Sequence, residues 1–429
     1  MARKMKASGI EWIGEIPEGW EVSQLKYATR WKSEKGCPDA PVLSLYRDFG
    51  VVPKDSRNDN HNVTSLDTSN YKVVDIGDLV INKMKAWQGS MAVSDYRGIV
   101  SPAYHVCSIT SNKVNKRYLH HLLRNPAYLP EYARLSTGMR IGQWDLGFDD
   151  FKNIPFLIPP LDEQAKIADY LDNGCASLDV ILDKTRSSIE EYKKLKQAVI
   201  TQAVTKGVRG EREMKDSGNP WFGQIPTDWK LSRVGLHFSI ILGKMLCNAP
   251  LNDTYTLEPY YCAADVHFDG VADGERKKMW FSPVEKELYR VSVGDLLVVE
   301  GGAGAGGSAI VENQDSYTYI QNSIMIVRSK GNTDNRYLRY LLEFLVKQGY
   351  IDVVCNKATI PHFTKDKLSC VPFCLCPTGE QKEIADYLDA KCAEIDKLIA
   401  KKEQLVKELE NYKKSLIFEY VTGKKELRR

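Results

Sequence analysis

Two stretches of this chain carry apolar residues at alternating steps of three and four, the pattern of a helix with one narrow apolar face. Heptads counted from Leu178 place Leu178, Ile181, Thr185, Ser188, Tyr192, Leu195 and Val199 on one seam. A second seam lies 217 residues further on: Ile395, Leu398, Lys402, Leu405, Leu409, Tyr412 and Leu416, flanked by the charges of Lys407, Glu408, Glu410, Lys413 and Lys414. A face this narrow wants another helix as its cover, so two matched seams in one chain predict that they pair, antiparallel. Pro159-Pro160 and Pro377 precede the helices, and Thr378 with Gln381 fits a capping box at the second start. Helix from about residue 167 to residue 204 rises roughly 1.5 Å per residue, which makes the paired portion on the order of 40 Å long. Thr185, Ser188 and Lys402 are polar seam positions and predict a loose fit.

Elsewhere the pattern shortens. Residues 71–82 (YKVVDIGDLVIN) read as strand, turn and strand around Gly77-Asp78, and residues 294–300 (GDLLVVE) are again strand-like. Short strands, turn-rich loops and one or two helices on either side predict an α+β fold: two mixed domains joined by two long antiparallel coiled-coil helices.

The chain contains itself twice. Glu163–Asp172 reads EQAKIADYLD and Glu380–Asp389 reads EQKEIADYLD, an offset of 217 that also aligns Pro155-Phe156 with Pro372-Phe373 and Gly77-Asp78-Leu79 with Gly294-Asp295-Leu296. SGIEWIGEIPEGW (Ser8–Trp20) faces SGNPWFGQIPTDW (Ser217–Trp229) at an offset of 209, so the second variable domain carries about eight more residues than the first. Five parts follow: an arm (1–20), a variable domain (21–160), a central helix with a second arm (161–229), another variable domain (230–377) and a final helix (378–429). The terminal arm and final helix together match the central segment, which predicts a pseudo-twofold molecule.

Composition adds little. With 429 residues, 43% hydrophobic and 27% charged, the chain has length for two globular domains and more. No run approaches the roughly 18 to 20 apolar residues of a membrane helix, and the start lacks the apolar core of a signal peptide, so no membrane association and cytoplasmic residence are expected. Ten scattered cysteines without a CxxC pair predict reduced thiols. Cys370, Cys374 and Cys376 face Asn153–Pro159 in the other copy, which has no cysteine; their spacing is not that of zinc ligands, and they read as buried fillers with no metal. His105, His120, His121 and His362 lack a companion nucleophile or carboxylate at diagnostic spacing, so no catalytic residue is expected. A net charge of +3 is neutral on the partner, and any case for nucleic acid rests on local patches.

Such patches occur at equivalent places. In the first domain Lys83, Lys85, Trp87, Gln88 and Ser90 share a loop after a strand, offering cations to phosphates and an amide to a base edge. A second loop carries Arg134, Thr137, Arg140 and Gln143. In the other domain Gly302, Gly304 and Gly307 satisfy GxGxxG, but Ser308 and its followers read as strand where a dinucleotide site needs a helix N-terminus. Close approach of backbone to DNA is the better reading there. Asn356, Lys357, Thr359 and His362 complete the set, with Lys357 at the address of Arg140.

With the duplicated frames, SGIEWIGEIPEGW, GDLVINKMKAWQG, RGIVSPAY, IPFLIPPLDEQ and their partners WFGQIPTDW, GDLLVVEGG and PTGEQKEIADYLD, the chain resembles the specificity subunits of type I restriction-modification enzymes over essentially its whole length. The resemblance implies that each variable domain reads one half of a split double-stranded DNA target, while the helices separate the halves and dock methyltransferase subunits, two of them; restriction subunits join that core. It also implies that chemistry belongs to the partners, which use S-adenosylmethionine, ATP and magnesium, with no cofactor in this chain. In agreement, the chain has no [ND]PP[YF] tetrapeptide and no P-loop. Two other readings compete: a duplicated protein-binding adaptor with no DNA role, and a fused methyltransferase or nuclease.

Overall fold

The computed structural model of the protein describes residues 3–47, 49–57, 64–65, 67–138, 144–313, 317–355 and 361–427. It is a mixed α/β structure with two long helices, dividing into two compact units, residues 1–186 with 403–429 and residues 187–402.

In the first unit β1 (Thr29–Lys32), β2 (Leu79–Asn82), β3 (Met91–Val93) and β4 (Tyr104–Ile109) form an antiparallel sheet in the order β1-β4-β2-β3. Side chains alternate across a strand. Leu79 and Ile81 therefore enter one apolar cluster, with Trp20, Leu119 and Leu122, while Val80 enters another, with Leu43, Val51 and Val106. Both faces are covered, which is why this strand is apolar at consecutive positions. Helix α1 (Lys116–Leu123) lies on the first face, its N-terminus capped by the Asn115 side chain, which accepts from the amides of Arg117 and Tyr118. Helix α2 (Leu161–Lys206) follows.

The second unit repeats this plan. Strands β5 (Phe238–Leu242), β6 (Leu296–Val299), β7 (Ser308–Ile310) and β8 (Ile324–Ser329) pair in the order β5-β8-β6-β7, again antiparallel, and α3 (Asn335–Lys347) is capped by Asp334 as α1 is by Asn115. Leu296 and Val298 enter one cluster, Leu297 and Val299 another. Even the turn into the central strand is copied. Gly77 (φ 87°) and Gly294 (φ 88°) adopt left-handed backbone, and the following aspartates reach back to the amides of Asp75 (2.9 Å) and Ser292 (2.8 Å). Contents between the frames differ: the first unit has a hairpin, Leu43–Tyr46 with Gly50–Pro53, whereas the second has a sheet of Thr256–Tyr261, Lys277–Phe281 and Tyr319–Ile320.

Helix α4 (Thr378–Val421) ends the ordered chain of elements. Its second half meets the first half of α2 within the first unit: Tyr170 and Tyr420 rings lie 4.6 Å apart, Lys413 reaches Asp179 at 2.5 Å, and Arg186 reaches Glu410 at 2.6 Å. In the second unit Lys196 meets Asp396 at 2.6 Å and the Lys402 ammonium lies 5.7 Å from the centre of the Tyr192 ring. Residue numbers rise along one helix as they fall along the other.

The buried line on these helices corrects the predicted seam at every second step. Leu178, Thr185, Ile395 and Leu416 are buried, but the alternating positions are Leu182 and Ile189 in place of Ile181 and Ser188; Leu182 is 4% exposed and Ile181 45%. Leu195, Leu405 and Tyr412 are likewise exposed, while Tyr192, Val199, Leu398 and Leu409 are half-buried. Two apolar residues stand side by side at 181 and 182, so a step of three reads as well as a step of four. The true line is also disguised further on, where it passes through Lys196 and Lys413, whose stems lie along the helix while the ammonium groups reach aspartates across it.

The capping box is corrected too. Thr378 donates to the Asn332 carbonyl, and Gln381 accepts from the Asp334 amide and donates to the Cys376 carbonyl. Gln164 does the same in the first copy, accepting from the Asn115 amide at 2.7 Å and donating to the Pro159 carbonyl at 2.7 Å. Both glutamines are buried, because each ties the start of a long helix to the cap of a short one. The neighbouring glutamates complete the joint: Glu163 takes Arg3 (2.6 Å) and the Trp20 indole (3.0 Å), and Glu380 takes Arg212 and the Trp229 indole (3.2 Å). No helix among the described residues is long and apolar enough to cross a membrane.

Candidate nucleic-acid interface

In the first unit two loops distant in sequence are brought together. The loop after β2 turns at Gly89 (φ 81°), where a Cβ would lie 2.8 Å from Leu129, so both conformation and space require glycine. The second loop returns as the short pair Ser136–Thr137 with Asp145–Leu146. Three contacts join them: the Leu146 amide donates to the Lys83 carbonyl (3.0 Å), Lys83 pairs with Asp145 (2.9 Å), and Trp87 packs edge-on against Trp144 with centroids 5.3 Å apart. His105 supports this from below through its Nε2 contact with the Leu146 carbonyl (3.1 Å). Burial pushes its imidazole below the ordinary value, and the nearby Lys72 and Lys83 act in the same direction. Lys72 is itself lowered by burial and by Lys83 and Lys35.

The predicted residues fall into three groups. Lys85, Gln88 and Thr137 are exposed, Trp87 is half-buried, and Lys85 has no ion-pair partner among the described residues. Ser90 is buried, and Arg134 is held in a two-pronged pair with Glu131 at 2.6 and 2.7 Å. Arg140 and Gln143 lie outside the described residues.

The second unit builds the same pair of loops from different side chains. Gly306 (φ 82°) stands where Gly89 does, with Val346 and Ile351 at 2.9 Å from a would-be Cβ, and the Phe363 amide donates to the Glu300 carbonyl (2.6 Å) as Leu146 does to Lys83. Gly301 bridges to His362, the Gly302 amide donates to the Pro361 carbonyl (3.1 Å), and the His362 ring lies 3.4 Å from the Glu300 carboxylate. Gly304 and His362 are exposed and Gly302 is half-buried, whereas Gly307 and Ser308 are buried at the start of β7. A strand, not a helix, follows these glycines. Asn356, Lys357 and Thr359 lie outside the described residues.

Sequence reasoning missed Asp145, Glu300, His105, Lys72 and Trp31, whose ring lies 4.9 Å from His105 and 5.1 Å from the Lys72 ammonium. One signal was available: at the repeat offset Lys83 faces Glu300 and Asp145 faces His362, so the acid stands on the other loop. Among the described residues no group of three or more histidines, cysteines or acids is placed to hold a metal ion, and burial pushes the Cys374 thiol up to about 12.

A duplicated frame carrying paired loops at equivalent positions has known relatives. The chain belongs to the family of type I restriction modification DNA specificity domains, whose model it matches twice, over residues 17–191 and 226–410. It is 26% identical to a putative type I restriction enzyme MjaX specificity subunit of Methanocaldococcus jannaschii, with 96% of this chain and 95% of that protein covered. The type I restriction enzyme MjaVIII specificity subunit of the same organism is 26% identical over 64% of this chain and 63% of its own length. Among solved structures, a chain from a study of complex assembly and conformational transition in the type I R-M system superposes with a TM-score of 0.70 at 18% identity, covering 95% of this chain and 99% of that one. The HsdS subunit from Thermoanaerobacter tengcongensis gives 0.53 at 17% identity, with 95% and 98% covered. At these identities the likeness is one of fold.

Proposed function

We propose that this chain is the DNA-specificity subunit of a type I restriction-modification assembly, each variable unit reading one half of a bipartite duplex target, with no chemistry of its own. The observation that carries this reading is the paired-loop constellation, built twice on the same backbone hydrogen bond and furnished with unlike side chains. A reader of two different half-sites needs one scaffold and two surfaces. Lys85, Gln88 and Thr137 in the first unit, and the Gly302–Gly304 backbone in the second, are the DNA-facing groups of this proposal, together with Arg140, Gln143, Asn356, Lys357 and Thr359.

The two long helices act as an antiparallel coiled-coil spacer. Their reciprocal ion pairs, Lys413 with Asp179 and Lys196 with Asp396, support this, because equivalent residues of the two copies make equivalent bonds. A paired rod on the order of 40 Å is comparable in length to the ~34 to 36 Å of one turn of DNA. The same frame docks two methyltransferase subunits, and restriction subunits join them. S-adenosylmethionine, ATP and magnesium act in those partners, in the cytoplasm.

Exchange of residues 21–160 for the corresponding domain of another such protein tests the reading. Methylome sequencing of the host is expected to show one half of the modified motif replaced and the other retained; an unchanged motif rejects it. Inserting one heptad into one helix is expected to change the tolerated gap or abolish assembly.

A further inference from the structure

The loops that meet in each unit are tied by a side-chain pair at equivalent positions, an ion pair in the first unit and a carboxylate–imidazole contact in the second, with the acid on opposite loops. In the first unit the residue after the central strand is the cation, Lys83, and the returning segment supplies the acid, Asp145. In the second unit the acid is Glu300 and the returning segment supplies His362. The backbone bond beside each pair is the same, Leu146 to Lys83 and Phe363 to Glu300. A side chain that meets a DNA phosphate must be a cation wherever it stands, because the phosphate does not change sign. One that meets its own neighbour needs only a complementary partner, and the two can trade places. Glu300, moreover, would repel a phosphate.

We propose that Lys83 with Asp145, and Glu300 with His362, are latches that hold the two loops of each unit in register, so that these four side chains position the reading surface without touching DNA. This rests on the specificity-subunit reading above and gives Lys83 and His362, expected from the sequence as DNA contacts, a positioning role instead. Lys85, exposed and without an ion-pair partner among the described residues, remains the phosphate-facing cation of the first loop. Both pairs are partly exposed, so each contributes modestly.

The test uses the chain assembled with its methyltransferase partners and a duplex bearing the motif recovered by methylome sequencing of cells that carry the wild-type system. Lys83→Asp and Asp145→Lys are each expected to weaken binding about two- to fivefold and to relax the first half of the motif. The double variant K83D/D145K is expected to restore both, with the wild-type dependence of log affinity on log salt. Lys85→Ala is the comparator and is expected to lower that slope by about 1 at an unrelaxed motif. In the second unit E300K and H362D are each expected to act on the other half alone, and the double variant E300K/H362D to restore it. The proposal is overturned if the single variants match wild type, if the double variants stay as weak as the singles, or if K83D lowers the salt slope by about 1 and the swap does not recover it. Thermal melts of each variant separate misfolding from loss of register, since a misfolded single that the swap does not recover counts against the latch as well. Should the wild-type assembly yield no motif at all, the specificity reading fails; an intact wild-type motif with unrescued swaps sinks only the latch.

Discussion

The joint between arm and helix is built from the same three residue types in both units, yet its surroundings differ. Arg3, Trp20 and Glu163 meet with the Glu163 side chain 24% exposed, whereas Arg212, Trp229 and Glu380 meet with Glu380 at 0%. Identical chemistry in different burial has different energetic weight: a carboxylate stripped of water depends on its cation, and one still wetted does not. The repeat has copied geometry without copying the energy stored in it.

Arginine removal is the strongest way to break that comparison. Arg212→Ala is expected to destabilise the second unit by about 3 kcal/mol, because a buried carboxylate loses its main partner, while Arg3→Ala costs the first unit roughly 1 kcal/mol. Differential scanning calorimetry of the full chain checks this, and equal losses would refute the burial argument. Next in size is the helix seam. Leu182→Ala, which empties a buried position, is expected to cost about 2 to 4 kcal/mol, and Ile181→Ala less than about 0.5 kcal/mol, read from denaturant midpoints at constant slope.

A smaller effect sharpens the contrast between the helix ends. Tyr170 packs at a tilt against Tyr420 in the first unit, but Tyr387, its equivalent in the second, lines a recess of 610 Å³ together with Ala203, Val199 and Gln202. Ala203→Tyr is expected to stabilise the second unit by about 0.5 to 1 kcal/mol through a ring pair like that of the first, and a lower melting point would show that the recess does not admit the ring. Smallest in free energy is Lys85→Ala, whose expected signature is a salt slope reduced by about 1 at nearly unchanged stability.

Much of the architecture was legible in the chain because it is written in local or periodic terms. Strand β2 and its turn at Gly77 follow from a short apolar run and from a backbone position only glycine adopts easily. The strand after Gly307 was readable because SAIVE has no helical period. The seam was half legible: period set its line, but the choice between Ile181 and Leu182 depends on what faces the helix, and the lysines at 196 and 413 hide two of its members. Of the candidate site, the loop addresses were legible and the roles were not. Ser90 and Ser308 looked available and are buried; Arg134 looked free and is held by Glu131.

By itself, then, the amino-acid sequence determined the duplication, the offset of 217 between the helix starts, the periods of helices and strands, and the family to which the chain belongs. Only the tertiary structure decided that Arg3 answers Glu163, that Gln164 ties a long helix to the cap of a short one, and that Lys83 answers Asp145. Periodicity and turn chemistry act over a few residues and leave a trace in the order of the chain. A hydrogen bond or an ion pair between residues far apart leaves none, because any acid can answer any base until the backbone has brought one particular pair within reach.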